Sequence, residues 1–517
     1  MKNYFKYMAV LALGIVSCEP ELDNAIEDGG LYSNGSADFS NYVALGNSLT
    51  AGYADGALYI TGQENSYPNI LAEKFALAQD TDGFTQPLVN DNAGGLLLGG
   101  TVIAQNRFVL AVDAEGNPAP ARYTGAAPTT DITNKLSGSF NNMGVPGAKS
   151  YHLVAPGYGN VNGVAAGAAN PYFARFASAD NATVLGDALA QNPTFFTLWI
   201  GNNDVLSFAT SGGAGEFQLN NTDFTTYGPN DITDPNAFAF VYNSIVQQLA
   251  GAEGAGAEGV LINIPDVSNI PFFKVVPSNP IPLDEATAGA LNAQFGAYNT
   301  QILPGLVQAG LLTEAEANSR KITFAAGSQN FMTIVDEDLT DITGILQQPP
   351  FSLDAQTAGL LGQLRQATSA DLIPLTSASF VGTAVDGNPM LVNGVSVPLG
   401  DEHVLTAAEQ ELVANATAMY NQAIQGIADN YSLGLVDANS LLEQIDSDGG
   451  LLYQGTPISS RFVEGGAFSL DGVHLTPRGY AVIANEIVNE INTTYSADVP
   501  NVNVGDYGTV TLSQDVQ

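Results

Sequence analysis

Only 14 of the 517 residues are Lys or Arg, only three are His, and there is one Cys. So few cations cannot track a phosphate backbone, which excludes DNA and RNA as partners. An anionic bilayer would repel the same surface. A single cysteine forms no disulfide within the chain, so the fold must stand on its core. With no H-E-x-x-H and no Cys/His cluster, zinc chemistry is not expected, and the chemistry read below calls for no cofactor. What the chain has in abundance is acid: 52 Asp and Glu give a formal net charge of -38. Yet 45% of residues are apolar and only 13% charged, so this is no disordered polyelectrolyte. The length allows one large domain or two to three ordinary ones, with a substantial core either way.

The N-terminus predicts a destination. Lys2 and Lys6 precede a mostly apolar stretch from Tyr7 to Val16, too short to span a bilayer as a mature helix. It ends Ile15-Val16-Ser17-Cys18, which resembles a bacterial lipobox: a small residue, then a Cys that is lipidated after cleavage. The alternative is a plain signal peptide with an incidental Cys, but Cys18 is the only cysteine and stands at the expected place. Residues 1–17 are thus expected to be a lipoprotein signal peptide, and an acyl anchor on Cys18 to hold an acidic body at a membrane, outside the cytoplasm. The following Glu19-Pro20-Glu21-Leu22-Asp23 and Glu27-Asp28-Gly29-Gly30 read as an acidic tether over 18–40. The run resembles the signal that sends some Gram-negative lipoproteins to the cell surface, so outer membrane or surface placement is expected. Any solvated acidic linker would look similar.

Four short apolar runs read as buried strands: 41–46, 194–201, 259–264 and 434–437. Helices are predicted between them. Asp234-Pro235 is an N-cap and N1 pair, followed by Phe238, Val241, Tyr242, Ile245 and Leu249 at helical spacing. Thr406 to Glu409 is a capping box that opens a long helix with Leu412, Val413, Ala416, Tyr420, Ile424 and Ile427 on one face. Thr476-Pro477 opens the last helix, with Tyr480, Ile483, Ile487 and Ile491 facing inward. Buried strands alternating with amphipathic helices predict an α/β fold: a parallel sheet covered on both sides in a three-layer α/β/α sandwich. It would occupy 41–492 and carry long insertions near 79–140, 205–232 and 312–400, with an unassigned polar tail at 493–517.

Four segments carry candidate chemistry. Gly46-Asn47-Ser48-Leu49-Thr50-Ala51-Gly52 follows the first strand. A Ser there, leading into a helix, is presented at the sheet's carboxyl edge, where α/β proteins place ligands and where a helix start favours developing negative charge. By itself this is weak, since glycine-flanked serines are common in turns, and it is not a G-x-S-x-G elbow. In Asn142-Met143-Gly144-Val145-Pro146-Gly147-Ala148-Lys149-Ser150, Gly147 exposes a backbone N–H with no side chain in the way. The glycine spacing and the intervening Ala148 exclude a phosphate loop around Lys149. In Gly201-Asn202-Asn203-Asp204, an Asn either turns its amide toward the same crevice or closes an Asx-turn. In Asp471-Gly472-Val473-His474 the spacing lets the carboxylate reach the imidazole within one turn. His152 has no acidic neighbour in sequence, and His403 beside Asp401 and Glu402 reads as part of a solvated helix cap.

Together, in this order, the four segments resemble the SGNH (GDSL-type) hydrolase family, over the span from Ser48 to His474. The resemblance implies a flavodoxin-like α/β/α fold and esterase or lipase activity. It further implies Ser48 as nucleophile, His474 as general acid/base and Asp471 as its orienter. The Ser48 and Gly147 backbone N–H groups and the Asn203 amide would form the oxyanion hole. Asn47 departs from the family's Gly-Asp-Ser-Leu. The expected reaction is hydrolysis of a small-molecule or glycan carboxylic ester through an acyl-enzyme. A polysaccharide O-deacetylase is a variant of that reading, and a non-catalytic surface glycan-binding lipoprotein on the same scaffold is the competing one. A binder has no need of His474 and Asp471.

Overall fold

Buried strands and amphipathic helices alternate along the computed structural model, which describes residues 31–112 and 116–516. The signal segment, Cys18 and the first part of the tether lie outside the described residues. In chain order the central elements are β1 (Tyr42–Gly46), α1 (Ser48–Ala51), α2 (Tyr67–Ala78), β2 (Asn142–Gly144), β3 (Phe195–Trp199), α3 (Asn203–Thr210) and α4 (Pro235–Ala250). They continue with β4 (Glu258–Ile262), α5 (Ala407–Tyr431), β5 (Gly434–Val436), α6 (Ala438–Asp446) and α7 (Pro477–Thr494). The five strands form one parallel sheet in the order β2-β1-β3-β4-β5. In register, Gly46 of β1 stands between Gly144 of β2 and Trp199 of β3.

The strands are apolar on both faces because helices cover both. All five residues of β1 and of β3 are buried. Helices α2 and α7 pack together on one side, and α3 and α4 against α5 on the other. The helices start where their caps place them. The Asp234 carboxylate accepts from the Ala237 N–H, Thr406 and Glu409 bond reciprocally, and the Thr476 hydroxyl accepts from the Gly479 N–H. The expected faces of α4 and α7 are buried. On α5, Leu412 is the exception, at 37% exposed. It lies one residue, about 100°, off the stripe of Val413, Ala416, Tyr420, Ile424 and Ile427.

Three boundaries differ from the sequence expectation. A fifth strand, β2, opens the Asn142–Ser150 segment, where the sequence reading placed no element; three residues are too short to show a period. The packed body starts ahead of residue 41, since Phe39 is fully buried and stacks on Phe75 at 4.1 Å between ring centres. The large insertion begins well before residue 312. A second apolar cluster runs from Ile281 to Val404, centred on Leu303, Leu306, Ile334, Leu346 and Ile373. The sequence reading placed no element between residues 265 and 311, so that stretch fell by default to the sheet domain, although its first long helix, Glu285–Gln294, belongs to this cluster. The 79–140 insertion contains two hairpins, Leu96–Leu98 with Thr101–Ala104 and Phe108–Val112 with Pro118–Arg122. The tail runs back along α7, where Asn485 and Asn492 hold Val502 and Val499 through their amides, and reaches the second hairpin at Leu512.

Candidate active site

The chain turns from β1 to β2 on one side and then passes to β3 on the other, which opens a crevice at the strands' carboxyl ends. Ser48 stands there as the first residue of α1. Asn47 caps that helix, its Oδ1 accepting the Leu49 N–H at 3.0 Å. The turn is tight because residue 46 has no side chain. A Cβ on Gly46 would meet Thr50 Oγ1 at 2.1 Å and the Trp199 carbonyl at 2.4 Å.

Ser48, His474 and Asp471 come together although 426 positions separate the serine from the histidine. The His474 Nε2 is 2.9 Å from Ser48 Oγ, and its Nδ1 is 2.8 Å from Asp471 Oδ2. The carboxylate is heavily supplied with donors. Its Oδ2 also accepts the Gly56 N–H at 2.7 Å. Its Oδ1 accepts the N–H groups of Val473 and His474 at 2.9 and 2.8 Å and the Ser469 hydroxyl at 3.1 Å. Burial alone would raise the Asp471 pKa; the positive charge on His474 and these hydrogen bonds outweigh it and hold the carboxyl well below its usual range. An ionised Asp471 accepts from Nδ1 of His474, which leaves Nε2 free to accept a proton from Ser48.

The oxyanion candidates are reached from two directions. Gly147 follows β2 with φ +81°, a left-handed conformation that glycine adopts without strain. Among the described residues its N–H meets no acceptor. The Ser48 N–H lies in the first turn of a helix, where no intrahelical acceptor exists. Asn203 opens α3 just past β3, and one amide hydrogen goes to the Ala148 carbonyl at 2.9 Å. The second hydrogen remains for a ligand. That bond also ties the Asn203 side chain to the Gly147 loop. The loop is held again by Asp204, whose carboxylate accepts the Ser150 N–H at 2.8 Å and hydroxyl at 2.7 Å. Lys149 is buried and donates to the Asp231 carbonyl, a structural role.

Ser48, Asn203 and His474 open into one cleft. Its walls are aliphatic: Val267 and Ile270 after β4, Leu441, Leu442 and Ile445 on α6, and Leu206 on α3. The other two histidines lie elsewhere in the contact network. His152 accepts the Lys149 N–H at Nδ1 and stacks on Tyr158, and burial, with the Lys149 charge, pushes it down to about 4. His403 pairs with the Ser377 hydroxyl and stacks on Phe380. No group of metal-binding side chains occurs among the described residues.

Two features escaped the sequence reading. Asn47 Nδ2 donates to Asn202 Oδ1 at 3.0 Å, which joins the nucleophile turn to the end of β3. An Asp at 47 has no such donor, so the departure from Gly-Asp-Ser-Leu is matched by an acceptor at 202. The Gly56 and Ser469 donors to Asp471 were equally hidden, because neither stands at a recognisable spacing from it. The chain matches no family model, no curated protein and no solved structure.

Proposed function

We propose that the protein is a serine ester hydrolase with the SGNH (GDSL-type), flavodoxin-like fold. The observation that carries this reading is the continuous relay from Ser48 Oγ through both His474 nitrogens to Asp471. His474 Nε2 takes the Ser48 proton as Oγ attacks the ester carbonyl. The carbonyl oxygen becomes an oxyanion, for which the Ser48 and Gly147 N–H groups and the free Asn203 hydrogen are the donors. The imidazolium, balanced by Asp471, returns its proton to the leaving alkoxide. Water, deprotonated by the same nitrogen, then attacks the acyl-enzyme and releases the acid and free Ser48. Every proton transfer uses this chain's own groups. A glycan-binding surface protein would have no use for such a relay, and the aliphatic cleft beside it favours an ester with an apolar acyl group over a sugar acetate.

The proposed location is outside the cytoplasm, held by a lipid on Cys18 at the outer membrane or cell surface. The Lys2 and Lys6 leader and the lipobox-like Ile15-Val16-Ser17-Cys18 support it. Among the described residues no helix is long and apolar enough to cross a membrane. The activity is tested with p-nitrophenyl esters of short and long acyl chains and with acetylated xylan, comparing wild type and Ser48→Ala. Turnover is expected on the apolar esters, with a loss of about 10⁵–10⁶-fold in the variant. A folded Ser48→Ala protein that keeps the wild-type rate overturns the reading.

A further inference from the structure

We infer that Arg107, on the segment inserted between α2 and β2, is a positioning residue for Asp471, acting through Asp55 and the C-terminal tail. The inference rests on the ester-hydrolase reading of Ser48, His474 and Asp471. It concerns a part of the chain with no role in that reading.

Asp55 is the link. It is 2% exposed and holds φ at +54°, a conformation costly for a residue with a side chain and kept only where the surroundings impose it. Asp55 and its neighbour Gly56 grip the catalytic loop at three points. The Asp55 N–H donates to Ser469 Oγ at 2.9 Å, and that hydroxyl donates onward to Asp471 Oδ1 at 3.1 Å. The Gly56 N–H donates to Asp471 Oδ2 at 2.7 Å. The Leu470 N–H donates to Asp55 Oδ1 at 2.9 Å. Both oxygens of Asp471 thus receive a donor whose place is set by the backbone of residues 55 and 56.

Arg107 fixes that backbone. Its Nη2 is 2.6 Å from Asp55 Oδ2, which the Tyr59 hydroxyl also reaches at 2.9 Å, and its guanidinium lies 3.6 Å over the Tyr59 ring. The next residue of the hairpin, Phe108, donates its N–H to the Asp55 carbonyl at 2.7 Å. Burial raises the Asp55 pKa, with the nearby Asp471 carboxylate adding to the rise, and the Arg107 cation opposes both. Arg107 is in turn held by the tail: Nη2 donates to Thr511 Oγ1 at 2.7 Å, the Leu110 N–H donates to the Thr511 carbonyl at 2.9 Å, and the Ser513 N–H donates to the Leu110 carbonyl at 3.1 Å. A charged pair this deeply buried is poor value for stability alone, since apolar packing serves as well. Its value here is geometric: it joins the hairpin, the tail and the acid of the triad into one hydrogen-bonded unit.

The test uses the full chain and three variants, Arg107→Met, Arg107→Lys and Thr511→Val, with kcat and KM on an apolar p-nitrophenyl ester. Thermal unfolding and the low-field proton resonance of His474 Nδ1–H are recorded alongside. Arg107→Met is expected to lower kcat on the order of 10- to 100-fold with KM little changed, the range for an ångström-scale displacement of a catalytic group. Arg107→Lys, which keeps the charge, should recover part of the loss, and Thr511→Val should show a smaller fall in the same sense. The resonance should shift in each. Where Arg107→Met does not fold, Arg107→Lys and Thr511→Val decide. Folded variants with wild-type kcat and an unmoved resonance overturn the inference, even if they melt earlier. Absence of ester turnover in the wild type would instead count against the hydrolase reading.

Discussion

Replacing Asp471 by Asn removes one charge and almost no volume, and the hydrogen bonds around it dictate the outcome. Oδ1 receives three donors, from Val473, His474 and Ser469, while Oδ2 receives two, from Gly56 and His474 Nδ1. The Asn amide group is a donor, so its oxygen is driven to the three-donor site and its nitrogen to the other. There the nitrogen opposes the Gly56 N–H and leaves that half-buried donor without its partner. It also donates to His474 Nδ1, which puts the imidazole hydrogen on Nε2. That nitrogen then faces Ser48 Oγ as a donor and cannot accept its proton. The loss in kcat is expected to approach about 10⁴, the magnitude found when a triad carboxylate is changed in this way and the tautomer reversed. Steady-state ester hydrolysis, with circular dichroism to establish folding, measures it. A folded Asp471→Asn protein within a few-fold of the wild-type kcat would refute the tautomer argument and leave Asp471 as a merely structural group.

Asn203→Ala should lower kcat by roughly 10²–10³ with a smaller change in KM, because the amide matters most as charge develops on the oxyanion. A loss confined to KM would make Asn203 a substrate-binding or loop-shaping residue through its bond to Ala148. A second expectation concerns stability. Burial, then Glu337 and Glu402, push Asp401 up to about 7, and burial raises Glu409 to about 7 against its capping bonds to Thr406. Both folded values exceed the unfolded one, so folding takes up protons. The stabilising contribution is whole below about pH 4, falls as the pH rises toward 7 and levels off above. Asp401→Asn should therefore be more resistant to urea than wild type at pH 8, with the advantage shrinking by pH 5; a variant less stable at pH 8 contradicts this. Cys18→Ser should move the protein from the membrane to the soluble fraction, and a variant that stays membrane-bound in high salt and detergent-free buffer would refute lipid anchoring.

The residues of the candidate site were readable from sequence where they sit at ends of regular elements. Ser48 follows β1 and His474 precedes the cap at Thr476, so strand and helix signals locate both; they reach the Asn202-Asn203 pair after β3, and the family resemblance alone pointed to Asn203. The structure places Ser48 and His474 at hydrogen-bond distance, a pairing that only the family resemblance had implied, and Asp471 reaches His474 within its turn. What held Asp471 in place was not readable. Asp55, Gly56, Arg107 and Thr511 lie in loops, a hairpin and the tail, and their pairing depends on how insertions fold back on the sheet. No periodicity encodes that. The same reason hid the start of the second apolar cluster: a helix such as Glu285–Gln294 has the same local pattern whichever core it joins. The departure at Asn47 was visible, but its meaning needed Asn202 across the crevice.

The central claim is that Ser48 Oγ is the nucleophile. The most direct measurement is peptide mapping by mass spectrometry of the full chain after reaction with a fluorophosphonate, with ester hydrolysis followed on the same sample. The account predicts one phosphonyl adduct, on Ser48, formed in step with loss of activity and absent from His474→Ala. An adduct on another serine, or full inactivation with Ser48 unmodified, would contradict it.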